Sequence, residues 1–186
     1  LVNDDEKVKL QAAYWDAEGR RTADTIARSA DVVAKKAGIE LPDGKTFFIV
    51  PERLIGRQHP FSTEKLGVVL SIFRYHGWEM ALDMVRQIFD TGGCGHSCGI
   101  YSFDDDHIHR LALTAPVSRI MVRQVQSSSN AGTFTNGMPM TSSMGCGVWG
   151  GNITNENISL KHYMNVTWVS RPIAEDRPSD QDLFGE

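Results

Sequence analysis

Apolar residues recur along this chain with two periods, and the alternation between them predicts its elements. Between residues 24 and 37, Ile26, Ala27, Ala30, Val33, Ala34 and Ala37 repeat at helical spacing, and Gly38 and Pro42 end the run. Residues 46–50 are a short apolar stretch that predicts a strand, and 51–61, with two prolines and a glycine, predicts a loop. The nearly continuous apolar run 68–73 predicts a strand buried on both faces. A helix follows over 78–89, with Ala81, Met84, Val85 and Ile88 on one face, ended by Gly92 and Gly93. Residues 99–102 read as a strand. Asp104 is placed to cap a third helix that runs to Leu113 and stops before Pro116. Residues 119–124 alternate and read as a further strand. Strands interleaved with helices predict an α/β fold with a mostly parallel sheet.

The character of the chain changes at Ser127. From there to Asn157 it is rich in Gly, Ser, Thr, Asn and Met, and irregular segments of this length are uncommon in compact domains unless functional. Residues 163–170 alternate again, with Met164, Val166 and Trp168 on one side and Asn165 and Thr167 on the other. That strand either joins the main sheet or reaches another subunit as an arm. The expected organisation is a core over 1–126, a glycine-, serine- and asparagine-rich segment over 127–160, a strand over 161–171 and an acidic, flexible tail over 172–186.

Composition narrows the function classes. The 186 residues suit one domain, or one domain with an arm. Nineteen Lys and Arg against 23 Asp and Glu leave a net charge of −4 and no basic stripe, which argues against a nucleic-acid partner. No apolar run approaches the ~18 residues of a membrane span, and the charged, polar stretch 1–10 is unlike a secretory signal. Three cysteines, an odd number, point to a reducing compartment, hence the cytoplasm. The Asn-x-Ser/Thr triplets at Asn152, Asn157 and Asn165 are accordingly read as chance.

Three clusters are candidates for chemistry. The first, GGCGHSCG over 92–99, is flexible backbone carrying two thiols and an imidazole. Cys94, His96 and Cys98 could ligate a metal, although zinc sites usually add a second ligand pair. Either Cys could be a nucleophile with His96 as base, although such partners normally come from separate segments. The plain alternative is a tight helix-to-strand turn whose thiols pack as small hydrophobes. The second cluster, PFSTEKLG over 60–67, precedes a strand, where Glu64 could accept hydrogen bonds from a sugar diol or simply pair with Lys65 or Arg57. The third, MGCGVWGGN over 144–152, sets Trp149 among glycines; a large aromatic there calls for a surface to pack on. No Walker lysine and no strand–GxGxxG–helix arrangement is present.

Together these clusters resemble the CoA-acylating branch of the aldehyde dehydrogenases. The segment MGCGVWGGNITNENISLKHYMNVTWVSR over 144–171 is similar to that branch's G-C-G-x-W-G-G-N stretch with its following S/T-x-E-N, K-H and final strand. GGCGHS over 92–97 resembles its G-G-x-G-H-T/S turn, and PFSTEKL over 60–66 its P-F-x-x-E-K-L stretch. The stretches 131–152, 95–100 and 116–122 are similar to the acylating sulfoacetaldehyde dehydrogenases within the branch. The resemblance implies the family's catalytic domain: an open, mostly parallel twisted sheet flanked by helices, with a C-terminal oligomerisation strand making a homodimer or tetramer. It implies an aldehyde and coenzyme A as small-molecule partners, NAD or NADP as cofactor, a cysteine thioester as intermediate, and no resident metal.

Site residues carry over position by position. Glu64, with Leu66 beside it, matches the stretch whose glutamate hydrogen-bonds the nicotinamide ribose. His96 matches the histidine bordering the active site, where it assists substrate or CoA binding or proton transfer. Gly145, Gly147, Trp149, Gly151 and Asn152 match the segment at the active-site mouth and subunit contact. Gly67 and Val68 depart from the family's small residue followed by proline. The family's nucleophilic cysteine lies N-terminal to all three motifs, and Cys94, Cys98 and Cys146 do not align with it. The expectation is therefore a catalytic-domain portion that lacks its nucleophile and cofactor domain and is inactive alone. A sulfonated substrate also needs cationic or amide groups; Arg123, Asn130 and Asn136 lie in the right region, each more readily explained as structural.

Overall fold

A helix that the apolar periodicity does not announce opens the chain. The computed structural model describes residues 1–185, and its first element, α1, spans Asp4–Tyr14. Asn3 and Glu6 cap it reciprocally: each side chain accepts the other's backbone N–H, both at 2.9 Å. Asp4, Asp5 and Glu6 complement the positive end of the helix dipole, while Leu10, Ala13 and Tyr14 are buried. The helix expected over 24–37 is split into a single turn at Ala23–Thr25 and α2 at Ala30–Ala37. The break lies at Ala27, whose backbone is left-handed at φ 55° and whose N–H donates to the Leu66 carbonyl at 2.8 Å instead of continuing a helix.

Strands β1 (Phe48–Glu52) and β2 (Val69–Phe73) pair in parallel, from Phe48 opposite Val69 to Glu52 opposite Phe73. Against this pair α1 and α2 enclose a core that includes Leu10, Tyr14, Trp15, Val33, Phe48, Val50, Phe61 and Val69. β2 buries Val69 but leaves Leu70 and Ile72 exposed, so the expected burial of both faces is not found.

The second half repeats the theme. It runs α3 (Trp78–Gly92), β3 (Cys98–Ile100), α4 (Asp105–Thr114), β4 (Ile120–Val122) and the short α5 (Gln126–Ser129). Asp104 caps α4 as its sequence position suggests, accepting from the N–H groups of Asp106 and His107. β3 and β4 pair in parallel over a smaller core of Leu82, Ile100, Leu111, Ala115 and Val117. Among the described residues the strands thus form two separate parallel pairs, not one continuous sheet. Residues 163–170 form no paired strand: Leu160–Tyr163 is a 3-10 turn, and Val166, Trp168 and Val169 stand exposed beyond it. In the tail, Ser179 caps a last short helix, α6 (Asp180–Phe184). No helix among the described residues is long and apolar enough to cross a membrane.

Candidate functional site

The turn after α3 is where three distant stretches of sequence meet. Gly95 donates its N–H to the Pro116 carbonyl at 2.8 Å and accepts from Ser118 N–H at 3.0 Å, which fixes the turn against the approach to β4. Its φ is +104°, and a Cβ added there would lie 2.6 Å from Cys146 Cβ and 2.8 Å from the Cys146 carbonyl oxygen. The glycine-rich loop therefore lands directly on the turn. On the other side, a Cβ added at Gly92 would lie 3.8 Å from Thr63 Cα, the neighbour of Glu64.

The glycine-rich loop folds back on itself as a hairpin. Met144 bridges antiparallel to Asn157, Gly145 N–H donates to Glu156 at 2.9 Å, and Gly147 N–H donates to Thr154 at 3.0 Å. At Gly145 any side chain would collide with the Thr154 carbonyl. Asn152 locks the tip: its Oδ1 accepts Cys146 N–H at 2.9 Å, and its own N–H donates to the Gly147 carbonyl at 2.9 Å. Trp149 lies in the tight turn Val148–Gly150 and is half-exposed, while Gly151 follows with left-handed backbone.

The residue that ties loop to turn is Arg119, which none of the motifs singles out. It is buried, 6% exposed, and among the described residues pairs with no carboxylate. Its Nε donates to Asn157 Oδ1 at 2.5 Å, its Nη1 to the His96 carbonyl at 3.1 Å, and its Nη2 to the carbonyls of Gly145 at 2.9 Å and Asn155 at 3.1 Å. Burial pulls the guanidinium below its ordinary pKa, partly offset by the neighbouring Cys146. Asn157 completes the joint, donating from Nδ2 to the carbonyls of Asn130 and Pro139.

His96 projects from the turn with its ring exposed and Nδ1 2.6 Å from Ser97 Oγ. Glu64 is also exposed, and its carboxylate makes no hydrogen bond or ion pair among the described residues. Its backbone is pinned instead. Arg21 donates to the Glu64 carbonyl at 3.0 Å, Lys65 Nζ donates to the Phe61 carbonyl at 2.8 Å and to Ser71 Oγ at 3.0 Å, and Leu66 takes the left-handed φ of 47°. Burial pushes the Lys65 amine down to about 8. The Glu64 carboxylate is thus exposed with both oxygens free of partners among the described residues. The Lys65 and Arg57 pairings weighed for Glu64 do not form.

Of the three thiols, Cys98 packs against the smaller core. Burial pushes Cys98 up to about 11, which removes its thiolate at neutral pH. Cys94 Sγ donates to the Phe89 carbonyl at 3.6 Å. Among the described residues no three His, Cys, Asp or Glu side chains gather as metal ligands, so Cys94, His96 and Cys98 form no ligand set. The imidazole bonds Ser97 and not a thiol, so no cysteine–histidine pair forms there either.

The polar groups considered for a sulfonate are engaged within the chain. Arg123 donates to the Ser102 carbonyl at 2.7 Å and lies 4.8 Å over the Phe103 ring, and Asn130 donates to Ser97 Oγ. Asn136 bonds Gln124, Ser129, Thr133 and Met138. A separate apolar cleft between α3, α4 and β3, lined by Trp78, Val85, Phe89 and Leu111, contains Cys98 but neither Glu64, His96 nor the 144–152 loop.

No protein-family profile matches the chain. It is 41% identical over its whole length to a sulfoacetaldehyde dehydrogenase of an Acholeplasma species, covering 39% of that protein. It is 37% identical over its whole length to an acylating sulfoacetaldehyde dehydrogenase of Bilophila wadsworthia, covering 41% of that protein. Its structure superposes on the crystal structure of an acetylating aldehyde dehydrogenase from Geobacillus thermoglucosidasius with a TM-score of 0.83 and 29% identity, over 94% of this chain and 39% of the other. The chain spans about two fifths of the length of the curated relatives it matches.

Proposed function

We propose that this chain, related over its whole length to the acylating aldehyde dehydrogenases, forms part of the catalytic half of such an enzyme. The enzyme oxidises an aldehyde to its acyl-CoA with NAD or NADP through a cysteine thioester. The observation that carries this reading is that the 144–152 loop rests on the turn that bears His96, while Thr63 of the 60–66 segment lies against Gly92 at the end of the helix leading into that turn. On this reading Glu64 and Leu66 hold the nicotinamide ribose, Glu64 with an outward carboxylate on a pinned backbone. The nicotinamide, when bound, accepts hydride. His96 faces the acyl group, and Gly145, Gly147, Trp149, Gly151 and Asn152 form the mouth through which the aldehyde and CoA reach it. Hydrogen bonds preorganised at a position where charge develops are the largest protein contribution to such acyl chemistry. The nucleophile is not one of the three cysteines here, so the 186-residue chain by itself has no dehydrogenase activity.

Sulfoacetaldehyde is the substrate assigned, because the names of the relatives at 41% and 37% identity point to it. Acetaldehyde and succinate semialdehyde are its competitors. The test is NAD(P)H formation by the complete enzyme with each aldehyde plus CoA. A kcat/KM highest for sulfoacetaldehyde supports the assignment, and preference for either competitor overturns it. The reading also places the enzyme in the cytoplasm.

A second reading, compatible with the first, makes the C-terminal segment an assembly element. Tyr163, Val166, Trp168 and Val169 are all at least 68% exposed, a sequence of side chains suited to strand addition in a homodimer or tetramer. Removing everything after Ser159 should abolish dimerisation, read by size-exclusion with light scattering. An unchanged oligomer would refute it.

A further inference from the structure

We propose that Ser97, Gln126 and Asn130 act as a positioning relay that fixes His96 as the neutral tautomer with its proton on Nε2, so that the exposed edge of the ring is a hydrogen-bond donor and not a base. A serine hydroxyl has one proton to donate and two lone pairs with which to accept. Both lone pairs of Ser97 are taken: Gln126 Nε2 donates at 2.5 Å and Asn130 Nδ2 at 3.2 Å. The remaining neighbour of the oxygen is His96 Nδ1 at 2.6 Å. The hydroxyl proton therefore points at Nδ1, Nδ1 accepts, and the ring proton of the neutral imidazole resides on Nε2.

The relay is built into the fold. Gln126 begins α5, and a Cβ added at Gly99 would lie 3.1 Å from its Cβ, so the glutamine lies against β3. Asn130 is buried, and its carbonyl accepts from Asn157, the partner of Arg119. The Arg119 joint that docks the glycine-rich loop thus also anchors one of the two donors that orient Ser97. Among the described residues no charged group pairs with the ring, and its one hydrogen bond is to Ser97.

The inference deepens the role given to His96 above and rests on that reading only for what the Nε2 proton does: it narrows a choice between donor and base to a donor aimed at an acyl or aldehyde oxygen. The tautomer itself is independent of it and is read without substrate. In long-range proton–nitrogen correlation spectra of the ¹⁵N-histidine-labelled protein, His96 (assigned by the loss of its signals in His96→Gln) should show the Nε2–H pattern at mildly alkaline pH. Ser97→Thr, which keeps the hydroxyl, should preserve the pattern, and Ser97→Ala should turn it into a mixture. Gln126→Glu replaces a donor by an acceptor of the same shape; Ser97 then donates to the new carboxylate, frees a lone pair, and His96 should shift to the Nδ1–H pattern. An Nδ1–H pattern in the unaltered protein, or the same pattern in Gln126→Glu as in the unaltered protein, overturns the proposal. If the tautomer switches in Gln126→Glu while acyl transfer by the complete enzyme carrying it is unchanged, the relay stands and the role assigned to His96 fails.

Discussion

Replacing Arg119 by methionine should detach the glycine-rich loop from the His96 turn. The substitution keeps the length and apolar stem of the side chain and removes four hydrogen bonds. Two of them, to Asn157 Oδ1 and to the Gly145 carbonyl, are buried, and a buried acceptor left without a donor costs about 1–3 kcal/mol. The other two acceptors are partly buried and regain water. Against this, the buried guanidinium pairs with no carboxylate among the described residues, so removing it relieves a desolvation cost. The balance is a loss of about 3 kcal/mol, a large share of the ~5–15 kcal/mol that holds a typical domain together. Urea unfolding reads the total, and hydrogen exchange reads its location. The amides of Gly145 and Gly147, which donate across the hairpin, should lose protection, while those of β1 and β2 keep theirs. A loss below about 1 kcal/mol with unchanged exchange at both glycines would refute the idea that Arg119 holds the loop. Arg119→Lys should recover less than half of the loss, because an ammonium cannot reproduce the planar fork.

Two further outcomes follow from the same geometry. Lys65 has its amine pushed down from an ordinary 10.5 to about 8, so between these values the unfolded chain binds the proton that the folded chain has released. The contribution of this group to stability therefore rises with pH across that window. Lys65→Met should flatten the stability–pH curve there by about 2 kcal/mol after allowance for partial solvent screening; a curve with the same slope in both proteins would exclude the buried amine as the cause. Gly95→Ala places a methyl group against Cys146 on a backbone at φ +104°, and should cost about 3 kcal/mol in thermal or urea unfolding. A cost under ~1 kcal/mol would mean that the loop does not rest on the turn.

What the sequence makes legible, and what it hides, divides along physical lines. α3 and α4 are visible because their apolar faces repeat and because Asp104 and the glycine pair at 92–93 punctuate them. α1 is hidden because its exposed Val8 and charged first turn blur the apolar stripe; its signal is the Asn3–Glu6 capping pair. The break at Ala27 is decided by a hydrogen bond to Leu66, a residue distant in sequence, and local spacing carries no trace of it. The strands are recognisable by composition, but whether Leu70 and Ile72 are covered depends on what packs there, which alternation does not specify. In the candidate site, the glycines, His96 and Glu64 stand out as motif residues. Arg119 does not, because a buried cation that bonds carbonyls has no counter-charge in the sequence to betray it. Asn152 and Asn157 look like glycosylation triplets, whereas their side chains hold the loop together from within.

The most direct test of the central claim is the product made by the complete enzyme. With aldehyde, CoA and NAD(P)+ supplied together, mass spectrometry should find the acyl-CoA in amounts equal to the NAD(P)H formed, and Glu64→Gln should raise the KM for the nicotinamide cofactor about tenfold, on the order of one lost charge-assisted hydrogen bond. A free carboxylic acid as the product, or an unchanged cofactor KM in Glu64→Gln, would contradict the account.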